Sequence, residues 1–154
     1  MILLALGSNM GDRAAMLARA HEAMAGQGIA ILETSTVLET PALLVPGAPA
    51  EWNQPFLNQV IEVETVLSPQ ALLTTLKSIE KELGRQERGR WAPREIDIDI
   101  LSYNDVLLNS EALTLPHPRL QERLFVLKPL YEIAPEWKHP ALKLTTREML
   151  AKLQ

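Results

Sequence analysis

Along the chain, the spacing of apolar residues switches between a period of two and a period near 3.6 in the order strand, helix, strand, strand, helix, strand. Ile2 to Leu6 is a short, wholly apolar run ending at Gly7 and reads as a buried strand. Gly7-Ser8-Asn9-Met10-Gly11-Asp12 is turn chemistry, with Asp12 placed to cap a helix. Residues 13–25 carry Ala14, Leu17, Ala18, His21, Ala23 and Met24 in helical rhythm, and Gly26 and Gly28 stop it. Ile29 to Leu38 is rich in β-branched residues and alternates, which predicts one strand. Asn58 to Val66 alternates too, setting Val60, Glu62, Glu64 and Val66 against Ile61, Val63 and Thr65, a strand with one polar face. Ser68-Pro69 opens a helix with an N-cap and a proline at its first position, and it runs to Leu83 before Gly84. Ile96 to Leu101 is the next strand.

The rest of the chain follows the same rules. Pro41 to Pro55 holds four prolines and a glycine, so it is a long loop of the kind that carries function. Asn104-Asp105 marks a turn, with Val106-Leu107-Leu108 as the hairpin partner of Ile96–Leu101. Leu115-Pro116-His117-Pro118 is a rigid connector; residues 120–133 read as helix despite Pro129, and Thr145 to Leu153 as a terminal amphipathic helix. The pattern predicts an α+β sandwich: an antiparallel, ferredoxin-like sheet flanked by helices, in a single domain spanning 1–154.

Charge and cysteine usage narrow the chemistry. A net charge of −4 argues against non-specific nucleic-acid binding, and no cysteine is present for a disulfide or thiolate site. No apolar run approaches the ~20 residues of a membrane span and no signal-peptide pattern opens the chain, so a soluble, cytoplasmic protein is expected. An anionic ligand would need a local cluster of cations. Arg85, Arg88, Arg90 and Arg94 supply one, drawn from only 15 Lys plus Arg in the whole chain. A run like that is ordinarily a solvated loop; here it holds Trp91 and Pro93 and leads directly into Asp97-Ile98-Asp99.

On a strand, residues two apart point the same way, so Asp97 and Asp99 share a face, their Cβ atoms roughly 6.5–7 Å apart. Two carboxylates on an otherwise apolar strand are costly to bury without a cation, and oxygen ligands so placed suit Mg²⁺ with phosphate oxygens and water completing its shell. The plainer reading is the solvent side of an edge strand, which the neighbouring arginines weaken. Guanidinium groups match phosphate oxygens, and phosphoryl transfer requires mainly positioning and charge neutralisation. No Gly-x-x-x-x-Gly-Lys-Ser/Thr occurs, so a P-loop is excluded. Taken alone, His117 reads as structural and Phe125 as core.

Gly7-Ser8-Asn9-x-Gly11-Asp12-Arg13, Thr40-Pro41, Phe56-Leu57-Asn58, Gly84-Arg85, Arg90-Trp91-x-Pro93-Arg94-x-Ile96-Asp97-Ile98-Asp99-Ile100-Leu101 and Leu115-Pro116-His117-Pro118-Arg119 to Phe125 resemble the 6-hydroxymethyl-7,8-dihydropterin pyrophosphokinases of folate biosynthesis, over nearly the whole chain and in order. The resemblance implies that Asp97 and Asp99 hold two Mg²⁺ ions bridging the phosphates of the co-substrate ATP. It implies Arg85, Arg90 and Arg94 as the catalytic cations, with Arg88, Trp91, Ile100, Arg123, His117 and Glu80 completing the ATP site. Arg88 can match either of two basic positions, because the stretch before Arg90 is one residue shorter than in the family. Asn58 would bond the pterin ring, Thr40, Pro41 and Leu43 would read its edge, and Phe56 and Phe125 would stack on its two faces. The implied protein is a monomer that binds two small molecules, with neither nucleic acid nor membrane as partner. Two rivals remain on the residues alone. An RNA-binding ferredoxin-like module would need exposed aromatics on a basic sheet, and a two-metal phosphodiesterase or nucleotidyl transferase would call on further Asp, Glu or His ligands.

Overall fold

The computed structural model describes residues 1–41, 46–50, 53–84 and 95–154. The first half runs β1 (Ile2–Ser8), α1 (Arg13–Gly26), β2 (Ala30–Thr34), β3 (Leu38–Thr40), β4 (Phe56–Glu64), α2 (Pro69–Glu82) and β5 (Asp97–Tyr103). The second half runs β6 (Leu108–Asn109), β7 (Thr114–Leu115), a 3₁₀ turn at Leu120–Glu122, α3 (Leu124–Ile133) and α4 (Thr146–Leu153). The main sheet is wholly antiparallel, in the order β2-β4-β1-β5, with β3 pairing β4 beyond the end of β2. This is the ferredoxin-like arrangement, and the expected α+β sandwich is present.

Strand alternation sends the two faces of the sheet into two cores. Leu4 and Leu6 of β1, Ile61 and Val63 of β4, and Ile98 and Ile100 of β5 meet Leu17, Ala20 and Met24 of α1 and Leu72, Leu76 and Ile79 of α2. On the other face Leu3, Val60 and Leu101 meet Val126, Leu127 and Leu130 of α3 and Met149 and Leu150 of α4. Fully burying one leucine contributes about 1.5–3 kcal/mol, so each face holds its helix pair by several such contacts. Two caps match the sequence reading, Asp12 Oδ1 accepting from Ala15 N (3.1 Å) and Ser68 Oγ from Ala71 N (3.2 Å); Thr145, expected as the first helical residue, is instead the N-cap of α4 and forms a capping box with Glu148. Gly28 and Gly84 follow the ends of α1 and α2 with φ of 80° and 96°, values that favour glycine. Among the described residues no helix is long and apolar enough to cross a membrane.

Four expectations need correction. Ile29–Leu38 is two strands: Ser35 N still donates to Val60 O (2.9 Å), but Val60 N donates to the Ser35 Oγ (3.0 Å) in place of a backbone carbonyl, and strand pairing resumes only at Leu38. The polar face expected on Asn58–Val66 is buried at Val60, since helices cover both sides of this central strand. Val106–Leu108 does not pair with β5. Asn104 N stays bonded to Met1 O (2.8 Å), the chain turns away from the sheet, and Leu108 pairs with Leu115 instead, closed by the Ser110–Leu113 turn. The 120–133 helix is interrupted at Arg123, whose extended backbone lets Val126 N and Leu127 N both donate to its carbonyl and start α3 afresh.

Candidate active site

The two ends of the expected site lie on one line across the sheet. In register, Leu38 of β3 opposes Asn58 of β4, Asn58 opposes Gly7 of β1, and Gly7 opposes Asp97 of β5. The next row sets Val60, Ala5 and Asp99 side by side. Since Leu4, Leu6, Ile98 and Ile100 point into the α1–α2 core, Asn58, Gly7, Asp97 and Asp99 all fall on the opposite face, the one partly roofed by α3. Adjacent strands are about 4.8 Å apart, so Asn58 and Asp97 are separated by roughly 10 Å with a side-chain-free residue between them. Gly7 is the floor. A methyl group built there would meet Phe56 Cδ1 at 3.7 Å and Asn58 Oδ1 at 3.8 Å, ordinary contact distances that would fill the space between the two ends.

At the β3–β4 end, Asn58 is buried and its orientation is set. Its Nδ2 donates to Thr40 Oγ1 (2.8 Å) and Leu38 O (3.1 Å), so the amide nitrogen is committed to β3 while Oδ1 faces the Gly7 floor. Thr40 pairs with Phe56, which is half-buried, and Pro41 is exposed just beyond. Phe125 is 37% exposed, so it is not the core residue that its chemistry alone suggests. It stands in the first turn of α3 with the Arg123 guanidinium 5.6 Å from its ring centroid, within cation–π range.

At the β5 end, Asp99 is held out of water. Burial first, then the Asp97 and Glu80 carboxylates, push its pKa up to about 7 against the pull of Lys77 and Arg123. A carboxyl raised in this way fits a cation site: a bound divalent ion would offset both the desolvation and the repulsion from Asp97. Glu80, almost fully buried, accepts from Ile98 N through Oε2 (2.7 Å) and meets Lys77 through Oε1 (3.4 Å), so it secures the outer edge of β5 beside the aspartates. Ile100 turns its side chain into the α1–α2 core, which leaves its backbone to face any ligand. His117 receives Arg119 N on Nδ1 (3.2 Å), which puts its proton on Nε2. Burial first, then Arg123, lower its pKa to about 4, so it is a neutral donor at pH 7. Leu43 and the arginine segment with Arg85, Arg88, Arg90, Trp91 and Arg94 lie outside the described residues. The Ser8 hydroxyl donates to Glu95 O (2.6 Å), which ties the start of β5 to the end of β1.

The Asp99 shift makes a stability prediction. A carboxyl with a raised folded-state pKa binds its proton more tightly folded than unfolded, so its contribution falls as pH rises from about 4 to about 7. Asp99→Asn should therefore raise the Tm of the metal-free chain at pH 8 by several °C, at about 2–4 °C per kcal/mol, and leave it nearly unchanged at pH 4. Thermal melts in EDTA at the two pH values check this.

The sequence reading missed Lys77, and it gave Gly7 and Arg13 no role beyond their place in the first motif. Lys77 was legible in principle, since it stands one helical turn before Glu80. Gly7 needed the strand register.

Residues 3–135 match the family model described as 7,8-dihydro-6-hydroxymethylpterin-pyrophosphokinase (HPPK). The chain belongs to this family. HPPK relatives of similar length include the 2-amino-4-hydroxy-6-hydroxymethyldihydropteridine pyrophosphokinase of Methylorubrum extorquens, 45% identical over 97% of this chain and 91% of that protein. The protein of the same name from Aquifex aeolicus is 43% identical over 96% of this chain and 88% of its own length. The folate synthesis bifunctional protein of Chlamydia trachomatis is 42% identical over 87% of this chain, which spans only 30% of that longer relative. The HPPK-DHPS of Plasmodium falciparum, solved with pteroate, superposes with a TM-score of 0.72 at 18% identity, covering 98% of this chain and 44% of that one, and shares the HPPK fold.

Proposed function

We propose that this HPPK chain, acting as one domain over residues 1–154, transfers pyrophosphate from ATP to the hydroxymethyl group of 6-hydroxymethyl-7,8-dihydropterin in tetrahydrofolate biosynthesis, releasing AMP. The observation that carries the reading is the row Asn58–Gly7–Asp97, which sets an amide end and a carboxylate end on one face with an open floor between them. Asn58 Oδ1 accepts from the pterin ring edge, Thr40, Pro41 and Leu43 border it, and Phe56 and Phe125 stack on the ring. Asp97 and Asp99 would hold two Mg²⁺ ions, which supply charge neutralisation to the triphosphate. Arg123 and the neutral Nε2–H of His117 bind phosphate oxygens beside them, joined by Arg85, Arg88, Arg90 and Arg94, with Trp91, Ile100 and Glu80 bordering ATP. The hydroxymethyl oxygen attacks the β-phosphorus, the bond to the α–β bridging oxygen breaks, and the hydroxyl proton is released as AMP leaves. Alignment and charge compensation provide most of the rate, as phosphoryl transfer requires.

A two-metal phosphodiesterase would need more ligands, and among the described residues no group of three or more His, Cys, Asp or Glu is placed to hold a metal. We also read the chain as a cytoplasmic monomer. Its edge strand β2 is bulged between Ile31 and Glu33, a device that discourages pairing with a second sheet. Incubation with ATP, Mg²⁺ and the hydroxymethyl pterin, followed by chromatography, should yield AMP and pterin pyrophosphate in equal amounts. ADP in place of AMP would overturn the assignment.

A further inference from the structure

We propose that Arg13 is a positioning residue for the pterin end of the site: its guanidinium ties together the two ends of the segment between β3 and β4, and thereby holds the Thr40–Phe56 pair in place. The inference rests on the pterin-site reading above. Asp12 caps α1 and leaves Arg13 as its first residue, pointing from the helix start toward the β3–β4 opening. Arg13 Nη1 donates to Pro55 O at 2.7 Å, immediately before Phe56. The same nitrogen reaches Glu39 Oε2 at 3.3 Å, one residue before Thr40. The orientation of Gln54 that satisfies both ends of its amide accepts from Arg13 Nε (3.2 Å) and donates to Asn9 O (3.2 Å).

One side chain thus meets both ends of a long excursion of the chain. Thr40 and Phe56 are paired directly above it, and Asn58 leans on Thr40 through its Nδ2. β3 is only three residues long and, among the described residues, pairs only with β4, so few contacts fix this opening: the Asn58 amide on Leu38 O and Thr40 Oγ1, the packing of α3, and the Arg13 tie. The bonds also differ in weight. Glu39 is 57% exposed, so the ion pair with it is weak; the short, half-buried bond to the Pro55 carbonyl is charge-assisted and matters more. Arginine is suited to the task because its planar fork can serve Pro55, Glu39 and Gln54 at once, where lysine offers a single point.

Steady-state kinetics on the intact protein, with pterin and ATP varied separately, test this. Arg13→Ala should raise the KM for pterin about tenfold, with kcat and the KM for ATP within about twofold of the parent. Arg13→Lys should restore part of the loss, to a KM about threefold above the parent, because one bond to Pro55 can still form. Glu39→Gln should change the pterin KM by less than about twofold. An unchanged pterin KM in Arg13→Ala, or equal rises in both KM values, would overturn the proposal. If Arg13→Ala does not fold, Arg13→Lys decides in its place: no rise in pterin KM sinks the idea. Asn58→Ala, measured alongside, separates the two levels. A large pterin effect there with none in Arg13→Ala removes the Arg13 role alone, whereas no effect in either removes the pterin-site reading and this proposal with it.

Discussion

Asp97→Asn and Asp99→Asn are each expected to lower kcat by about 10²–10⁴, with the fold retained. Both carboxylates lie on one face of β5, and burial together with mutual repulsion raises the Asp99 pKa to about 7. Burial and the Asp97 charge make an ionised Asp99 unfavourable in the metal-free chain, so removing its charge relieves that chain, while removing either charge weakens the hold on the cation. For Asp99→Asn, activity and stability should therefore move in opposite directions at pH 8. The pH dependence has a definite sign. Protons and Mg²⁺ compete for Asp99, so apparent Mg²⁺ affinity should rise by up to about tenfold per pH unit from pH 5.5 toward pH 7 and level off above it. Near-normal turnover by either variant at saturating Mg²⁺ would rule out the two-aspartate site, and a flat Mg²⁺ affinity between pH 5.5 and 7 would rule out the raised carboxyl.

Asn58→Ala is expected to weaken pterin binding by about 10- to 100-fold, the 1–3 kcal/mol of an unmatched buried polar edge, while ATP binding stays close to the parent. The structure adds a second contribution to this loss. Asn58 Nδ2 also holds Leu38 O and Thr40 Oγ1, so truncation both removes the acceptor and slackens β3. Thr40→Val separates the two: it keeps the side-chain shape and the Asn58 oxygen but deletes one anchor, and should cost no more than about threefold in pterin affinity. Calorimetric titration of each variant with each ligand reads the difference. Equal losses for ATP and pterin in Asn58→Ala would refute the assignment.

Much of this was legible in the residues because the governing physics is local. The Asp12 and Ser68 caps and the Gly28 and Gly84 stops depend on neighbours within a turn, and each appears where the sequence places it. The Asp97-Ile98-Asp99 spacing likewise puts two carboxylates on one face without reference to the rest of the fold. Family-specific motifs then pointed to Phe125 and His117, whose residue types alone read as core and structural.

What only the tertiary structure decided concerns partners far apart in the chain. The hairpin expected after β5 failed because Asn104 is bonded to Met1, at the other end of the sequence. Val60, on the face of β4 expected to be polar, is buried because α3, more than sixty residues later, lies over it, while Glu62 and Glu64 farther along that face are not buried. Phe125 is exposed because the helix begins afresh at Arg123, a break that no periodicity shows. Gly7 becomes the floor of the site only once register sets it between Asn58 and Asp97, and Arg13 becomes a tie only once α1 brings it to Pro55 and Glu39. Spacing along a chain determines which side chains share a face. Which faces meet is set by the closing of long loops, and that closure depends on the burial summed over the whole sheet, which no single segment carries.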